Sequence, residues 1–525
     1  QSIAAVFQSI FRFPDIQIGF TLFNSEEGTF TIAPFGRPLP SYILPGGTPQ
    51  EGQEVLCTDS YRSLVQQKVY FAVSDTAQFL GQHPASHLAA RLSAQRIRSF
   101  ILAPVVKNEL LLGVLEVVSP RPHELNSINA RKLEVVMPFL TDTIERLAAE
   151  LQNQMQAIIQ DNYTSLHASV SWKFRAEAQR FIQERQRGKK YQLQEIRFAE
   201  VYPLYGQIDV KGSSEARNRC VQQDLQMQLA ALLQLLEELT RQDPARPLAE
   251  EKQRVTDLLY ALSQPLQAST EQRIQYFLES RLHPLLAQVE QEAPAPLVRA
   301  YMQQTDKQTG SFHAQRRKYE TSLSWINEAM VSFLDSRQPA VQAQFPHYYE
   351  RFKSDGVDHT LYVGASIAPK HPFRPDHLHA LRQWQLQVMW EMNNVHHQLK
   401  SLLPYPMEVT SLLLVQDSAI NIRFRMDEKR FDVDGSYHAR YEIIKKRIDK
   451  ARIKDSTERI TETGKITIVH SDDREAREYT QYIARLQTQG RLEAEVETFE
   501  VEALQGISGL RALRVKIIYD PVPRP

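Results

Sequence analysis

A strand-like segment that ends in an aspartate and runs into two serines is the part of the sequence best suited to chemistry. The residues from 196 to 210 alternate as a strand does and end near Asp209; Ser213 and Ser214 follow a lysine–glycine pair, and helical periodicity begins at Glu215. Backbone N–H groups at the start of a helix bind anions such as phosphate. Asp209, Ser213 and Ser214 are therefore candidate phosphate- or metal-binding residues. The same serines also fit a plain helix N-cap with Glu215 in the first turn, which is the interpretation that the sequence favours.

Residues 209–214 (DVKGSS) resemble the metal-binding strand of class III nucleotide cyclases. The resemblance implies a divalent cation and a nucleotide substrate. The surrounding cyclase pattern and its second metal-binding aspartate are not evident in the sequence. A metal-dependent enzyme that acts on a nucleotide or phosphate substrate is therefore kept as an alternative function.

A second segment of interest, residues 96–118, is predicted to be a β-hairpin. Two apolar runs, 100–106 and 110–118, flank the polar triplet Lys107-Asn108-Glu109. A short polar break between two runs rich in Ile, Val and Leu is typical of a hairpin. Apolar residues at helical spacing follow from residue 127 onward. The predicted order is strand, turn, strand, loop and helix.

This order resembles a GAF domain over residues 1–150. The matching positions are Ser99, Pro104, Lys107-Asn108 and Gly113-Val114-Leu115, and residues 18–23, 29–32 and 68–75 resemble further strands of the family. The resemblance implies an antiparallel sheet with flanking helices. It also implies a cavity for a small-molecule ligand between the sheet and a helix near residue 82.

The resemblance implies a set of ligand-binding residues in this cavity, namely His83, His87, Phe100, Leu102 and Glu116. The two histidines are four residues apart in a predicted helix and would share one face of it. The alternative is that both histidines are solvated or cap a helix end. The ligand and any cofactor stay unspecified. Departures at Ser119-Pro120 from the pattern of cyclic-nucleotide-binding members argue against a cyclic nucleotide.

Residues 127–187 are predicted to form one long connecting helix. Their apolar stripe extends further than one small domain can bury, so it requires a partner helix. We expect this partner to be the same helix of a second chain, which makes a homodimer with a signalling stalk. An antiparallel partner within the chain is the alternative.

The rest of the chain is predicted to be a mixture of helices and strands. We expect a strand segment followed by a helical bundle over 190–352, a strand plus a helix over 357–404, and an α/β domain over 405–525 that opens with a hairpin. The fold class is therefore an α+β multidomain protein with a GAF-like sheet.

Charge, hydropathy and cysteine content limit the partners and the cellular compartment that we expect for the protein. The chain has 62 basic and 62 acidic residues, so no overall charge attracts nucleic acid, and we expect no nucleic-acid partner. No apolar run reaches the ~18 residues of a membrane span, so we expect no membrane insertion. Two cysteines far apart in sequence suit the reducing cytoplasm. Because position 1 is not Met, we expect the chain to begin inside a longer protein.

Motifs of known output enzymes are missing from the sequence. It has no Walker phosphate loop and no kinase glycine boxes, which weighs against a known effector enzyme. The first expectation is therefore a cytoplasmic sensory protein whose GAF-like domain binds a small ligand and relays its presence through the long helix. The alternatives are the metal-dependent enzyme and a structural assembly protein with a vestigial pocket.

Overall fold

The computed structural model divides the chain into two compact units. It describes residues 3–25, 28–32, 39–44, 50–162, 167–292, 296–435, 439–505 and 507–521. Unit 1 comprises residues 1–166, 171–196 and 426–429, and unit 2 comprises residues 167–170, 197–425 and 430–525. Each unit has an antiparallel or mixed sheet together with helices, so the predicted α+β multidomain class is confirmed.

Unit 1 contains a six-stranded antiparallel sheet. Its strands are β1 (Gln17–Asn24), β2 (Thr29–Ile32), β3 (Gln50–Glu51), β4 (Phe71–Val73), β5 (Ser99–Lys107) and β6 (Leu110–Ser119), in the order β3-β2-β1-β6-β5-β4. The predicted hairpin is β5 and β6. Asn108 and Glu109 form the two-residue turn, and their φ angles are 46° and 66°. Positive φ at both residues is what a type I′ hairpin turn requires.

Eight helices accompany this sheet in the described part of unit 1 or at its border. They are α1 (Ile3–Phe11), α2 (Gly52–Val55), α3 (Thr58–Tyr61), α4 (Thr76–Gln82), α5 (His87–Ala94), α6 (Ser127–Ala130), α7 (Met137–Asn162) and α8 (Ala168–Gln186). A π-helical turn spans Arg62–Gln66 and a 3-10 turn spans Arg131–Val135.

Three helices and a 3-10 turn stand where the sequence predicts one continuous helix over 127–187. Asn126 caps α6 with its side chain, and α6 ends after one turn. Pro138 then lies in the first turn of α7, where a residue without a backbone N–H is tolerated. In one continuous helix from residue 127, the same proline would be an interior residue and would remove a hydrogen bond. Residues 163–166, between α7 and α8, lie outside the described residues.

The apolar stripe of α7 is already buried in the single chain. Leu151, Met155 and Ile159 are 9%, 8% and 5% exposed. By contrast, Val135 and Phe139, at the start of the helical segment, are each 75% exposed. The predicted homodimer therefore gains no support from the α7 stripe and stays a prediction.

Unit 2 is built around a nine-stranded sheet. Its strands are β7 (Arg197–Val210), β8 (Tyr348–Lys353), β9 (Gly356–Val363), β10 (Val409–Leu414), β11 (Ile420–Arg425), β12 (Arg430–Val433), β13 (Lys465–His470), β14 (Leu492–Glu500) and β15 (Arg511–Ile517). The order is β12-β11-β7-β10-β13-β15-β14, and β8 pairs with β9, which in turn pairs with β7. The pairing of β10 with β13 is parallel and the other pairings are antiparallel.

The long strand β7 organises this sheet. Its second half pairs with β9 on one edge and with β10 on the other, and its first half pairs with β11. The hairpin predicted from residues 409–424 is therefore wrong, because β10 and β11 each pair with β7 rather than with each other. The partner strand comes from about 200 residues earlier in the chain, where local turn signals cannot indicate it.

Nine helices complete the described part of unit 2. They are α9 (Ser213–Gln242), α10 (Ala249–Ala261), α11 (Ala268–Phe277), α12 (His283–Glu292), α13 (Pro296–Gln304), α14 (Ala314–Gln344), α15 (Pro375–Leu399), α16 (Ala439–Lys445) and α17 (Asp473–Thr488). A π-helical turn spans Leu278–Leu282, and 3-10 turns span Ser311–His313, Lys400–Leu402 and Ile448–Lys450. Across both units, none of the described helices has the length and apolar character needed to cross a membrane.

Two apolar cores stabilise unit 2. One lies between the sheet and helices α14, α15 and α17, and it includes Ile208 and Val210 of β7. The other joins α9 to α10, α11, α12 and α13, and this is the predicted helical bundle. Because side chains alternate along a strand, Asp209 lies on the face of the sheet opposite to Ile208 and Val210. Helices α14, α15 and α17 thus leave the Asp209 face to other elements of the chain.

The close approach of β9 to β7 gives a stability prediction. A Cβ atom at Gly356 would lie 2.2 Å from the carbonyl oxygen of Ile208, a backbone atom that cannot move alone. We expect Gly356→Ala to lower the free energy of unfolding of unit 2 by about 1–3 kcal/mol, the usual cost of overpacking. Urea unfolding followed by circular dichroism would measure the change. Gly81→Ala, at a position with nothing within 4 Å, is the control, and an equal effect in both variants would contradict the packing argument.

Candidate functional site

A large cavity lies in unit 2, at the end of β7. Its volume is about 1040 Å³. Its walls come from the end of β7, the first turns of α9, the segment before β10, and the segment between α16 and β13. The lining residues are 209–216, Arg219, Tyr405, Pro406, Met407, Glu408, Thr410, Asp449, Lys450, Glu458, Arg459, Thr461 and Glu462. The three predicted phosphate or metal residues, Asp209, Ser213 and Ser214, are brought together in this wall.

Asp209 is held rigidly at the edge of the cavity. Its backbone is paired with Gly356 of β9 on one side and with Thr410 of β10 on the other. Burial, together with the nearby carboxylates of Asp449 and Asp355, raises the pKa of the Asp209 carboxyl to about 6. A carboxyl group in such surroundings gains from any cation that comes close to it.

Ser213 does not cap helix α9 as the sequence suggests. The N-cap is Gly212, in the left-handed conformation with φ of +65°, and Ser213 is the first helical residue. The Ser213 hydroxyl donates a 2.7 Å hydrogen bond to the Oδ2 atom of Asp355 in the turn between β8 and β9. The backbone N–H of Val210 also donates to the carbonyl oxygen of Asp355, at 2.8 Å. These bonds hold the Asp355 turn against the end of β7.

The first turn of α9 presents donors to the same cavity. The first three N–H groups of a helix have no acceptor within the helix, and here they belong to residues 213–215, since the N–H of Ala216 already bonds to Gly212. The 30 residues of α9 add the positive end of a helix dipole. This end of the cavity is therefore suited to an anion.

Basic side chains on the facing walls are not neutralised by acidic neighbours. Lys450 closes the 3-10 turn after α16, Arg459 lies in the segment that leads to β13, and Lys211 follows β7. Within the described part of the chain, none of these three forms a salt bridge. Lys450 and Arg459 both lower the pKa of Asp209, so their charges act on that carboxyl. The cavity thus contains both acidic groups and cations that are not engaged in salt bridges among the described residues.

The carboxylates match the requirements of Mg²⁺ only in part. Among the described residues, no three His, Cys, Asp or Glu side chains lie close enough together to enclose a metal ion. Mg²⁺, however, is usually held by one or two carboxylates while water and substrate phosphates supply the other oxygens. Asp209 at the end of β7 and Asp355 in the neighbouring β8–β9 turn are a carboxylate pair of this kind. They fit a cation that binds together with a phosphate group.

The sequence gives little sign of several residues of this site. Asp355 lies in a Ser-Asp-Gly turn 146 residues after Asp209, and the pairing of β7 with β9 alone brings the two together. Lys450 belongs to a predicted helix with a basic face over residues 437–451, and Arg459 lies in a segment to which the sequence assigns no element. The local signal in this segment is Gly356, which directly follows Asp355. A glycine is needed there because β9 approaches the backbone of β7 closely.

In unit 1, the predicted ligand-binding residues do not form an open pocket. Phe100 and Leu102 are fully buried in the apolar core beneath the sheet. His83 and His87 do not share a helix face, because His83 follows the end of α4 and His87 begins α5. The His83 ring lies 4.5 Å from the Phe79 ring, and both histidines are exposed. The predicted residues therefore do not line one common cavity, because the two histidines are exposed and Phe100 and Leu102 lie in the core.

Glu116, the fifth predicted ligand residue, is fully buried and fully engaged. The hydroxyls of Thr21 and Ser41 donate to its Oε1 atom, and the backbone N–H groups of Tyr42 and Ile43 donate to its Oε2 atom. Burial raises the pKa of Glu116 to about 7, and these four donors lower it only in part. The carboxyl group holds residues 41–43 against β1 and β6 and has no free oxygen for a ligand.

No protein-family model and no curated protein matches this chain. Among solved structures, a weak and partial likeness exists to the structure of fRMsr of Staphylococcus aureus in complex with substrate, a GAF-like fold. The identity is 19%, the match covers 25% of this chain and 73% of the other, and the TM-score is 0.17. A score this low carries no conclusion on fold or activity, so the site must be interpreted from its own residues.

Glu116 gives a pH-dependent prediction. Its pKa of about 7 in the folded state exceeds the ordinary 4.5, so folding holds the proton more tightly than the unfolded chain does. The resulting stability is complete below pH 4.5 and is lost as the pH rises through 7. At ~1.36 kcal/mol per pKa unit, we expect unit 1 to lose up to about 3 kcal/mol between these limits. Thermal unfolding as a function of pH would measure the loss.

The matched variants are Glu116→Gln and Glu109→Gln. The amide in Glu116→Gln cannot ionise, so we expect this dependence on pH to disappear although the variant is less stable overall. Glu109 has a side chain 95% exposed beside Lys68, so Glu109→Gln should keep the wild-type dependence. A dependence that survives Glu116→Gln would show that Glu116 is not its source.

Proposed function

We propose that unit 2 is a metal-dependent enzyme domain that acts on a phosphate-bearing substrate of the size of a nucleotide. The supporting observation is the arrangement at the end of β7. Asp209 faces one cavity together with the start of a 30-residue helix and with basic side chains that form no salt bridge among the described residues. Asp355 lies next to this wall, in the turn between β8 and β9, where it accepts the hydrogen bond of Ser213. The volume of about 1040 Å³ accommodates a ligand much larger than a phosphate ion.

Each part of the site has a distinct role in this proposal. Asp209 and Asp355 would hold the cation, and the hydrogen bond from Ser213 keeps Asp355 in place. The free N–H groups of the first turn of α9 and the hydroxyl of Ser214 would donate to the phosphate oxygens. Lys450 and Arg459 would balance the remaining negative charge of the phosphate.

The cation, when bound, would neutralise charge on the phosphate oxygens and orient them for displacement. Asp209 and Asp355 lie near each other in the absence of the cation. Among the described residues, Asp209 forms no salt bridge that would neutralise its charge. Without a cation, the carboxylates repel a phosphate group. A cation that lies between the carboxylates and the phosphate removes this repulsion. Phosphate and cation binding are therefore coupled in this site.

A sensory role for unit 1 is a second candidate. A cavity of about 370 Å³ in this unit favours it, although none of the five predicted ligand residues lines this cavity. The lining residues are Gln53, Leu56, Thr58, Tyr61, Arg62 and Gln66. A small ligand in this cavity would contact the helices α2 and α3 rather than the central strands.

The sensory candidate predicts a ligand that co-purifies with the chain. Native mass spectrometry should show added mass, and substitution of Tyr61 by Ala, which opens the wall of the cavity, should reduce the occupied fraction. Val69→Ala, an exposed change outside the cavity, is the control. A purified protein whose mass equals that of the bare chain, with no ligand taken up from a metabolite mixture, would contradict a sensory role.

The enzyme proposal predicts cation-dependent binding. By calorimetry, ATP should bind the full chain in the presence of Mg²⁺ and should bind at least about ten-fold more weakly in EDTA. Asp209→Asn and Asp355→Asn should each weaken the Mg²⁺-dependent binding by about ten-fold or more, the usual effect of losing a charged partner. Asp257→Asn, on the exposed face of α10, is the control and should bind as the wild type does.

The same measurement has an expected dependence on pH. Because the pKa of Asp209 is about 6, the carboxyl must lose a proton before it can hold the cation at lower pH. Mg²⁺-dependent affinity should therefore fall by about ten-fold for each pH unit below 6. Binding that is equally strong in EDTA, or that is unchanged in Asp209→Asn, would contradict the proposal.

A further inference from the structure

Helix α16 lies on the sheet face that carries Asp209, and one lysine links it to that face. The Lys445 ammonium, at the last residue of α16, donates a 3.2 Å hydrogen bond to the Thr360 hydroxyl of β9. It also lies 5.1 Å from the centre of the Tyr205 ring of β7, in a cation–π contact. The hydroxyl of Tyr441, also on α16, is buried and has no hydrogen-bond partner among the described residues. Lys445 therefore supplies a polar anchor that Tyr441 does not.

Two acidic side chains on the sheet face Lys445. Burial raises the pKa of both Glu350 and Asp358, and the charge of Lys445 lowers it again. The hydroxyls of Tyr348 and Tyr362 donate to Glu350, at 3.2 and 3.0 Å. Removal of the Lys445 charge would leave both of these carboxyl groups without this cation, which is unfavourable for the contact between α16 and the sheet.

The chain between Lys445 and the cavity is tied by backbone hydrogen bonds. The N–H groups of residues 446, 447, 450 and 451 each donate to a carbonyl three or four residues earlier, so one hydrogen-bonded turn follows another. Ile444 and Ile448 are buried, with 7% and 0% exposure, and their packing anchors this segment to the protein interior. Lys450, at its end, lines the cavity. A shift of α16 must therefore move Lys450.

We propose that Lys445 is a positioning residue that holds Lys450 at the phosphate end of the cavity, through α16 and the 3-10 turn that follows it. The inference rests on the proposed function, since Lys450 matters only if the cavity binds an anion. Lys445 itself contacts the sheet and is not one of the residues that line the cavity. It acts by fixing the place of another cation.

A double-mutant cycle tests this role, with ATP and Mg²⁺ as the probe and calorimetry as the measurement. Lys450→Met should weaken binding by about ten-fold. Lys445→Met should weaken it by about three- to ten-fold in the wild-type chain and by less than about two-fold in the Lys450→Met chain, because coupled residues are not additive. A loss of equal size in both chains would overturn the proposal, since Lys445 would then act independently of Lys450.

Three further variants keep the test decisive. Lys445→Arg retains the charge and the cation–π contact and should restore most of the affinity. Thr360→Val removes the hydrogen bond of Lys445 at nearly constant volume, and it replaces Lys445→Met in the cycle if the latter fails to fold. Lys446→Met, at an exposed neighbour, should bind as the wild type does. A wild-type chain that binds no ATP refutes the proposed function, whereas wild-type binding that is insensitive to Lys445 and Thr360 refutes the positioning role alone.

Discussion

The repulsion among the carboxylates at the end of β7 is the interaction on which the interpretation of unit 2 depends. Asp209 is fixed between Gly356 and Thr410 by backbone pairing on both edges of its strand, so it cannot turn away from its neighbours. Asp355 and Asp449 raise its pKa in addition to burial. A sheet that served stability alone would gain nothing from acidic groups held in this way. The arrangement becomes favourable when a cation lies among them.

Two carboxyl groups with raised pKa values in this protein show the difference between a structural acid and the acid of the proposed site. Glu116 in unit 1 receives four hydrogen bonds, two from hydroxyls and two from backbone N–H groups, and these attach residues 41–43 to the sheet. Asp209 in unit 2 has acidic neighbours, and the cations that face it are not paired with acids in the described chain. The pKa of each group is raised, yet the surroundings of Glu116 are complete and those of Asp209 are suited to an added ion.

The sequence predicts local features well and distant pairings poorly. The hairpin of β5 and β6, the strand β7 and the start of α9 all follow from periodicity and turn residues within about 30 positions. Asp209, Ser213 and Ser214 could therefore be singled out together. The role of Ser213 could not, because its partner Asp355 joins the site only when β9 pairs with β7. For the same reason β10 and β11 were expected to pair with each other.

The predicted long helix shows a further limit. An apolar stripe at helical spacing continues through residues 127–187, but periodicity carries no information on whether a chain folds back between two helices. Pro138 lies in the first turn of α7, and the stripe residues Leu151, Met155 and Ile159 of α7 are buried within the chain itself. The stripe could thus not decide between a stalk shared by two chains and helices packed within one.

Crystals grown with Mn²⁺ and inorganic tripolyphosphate offer the most direct measurement of the central claim, because the anomalous signal of manganese locates the cation without assumptions. The account predicts an anomalous peak between the carboxylates of Asp209 and Asp355, with phosphate density at the first turn of α9 and near Lys450. Phosphate density without a manganese peak at this position, or a manganese peak elsewhere in unit 2 with this cavity empty, would contradict it.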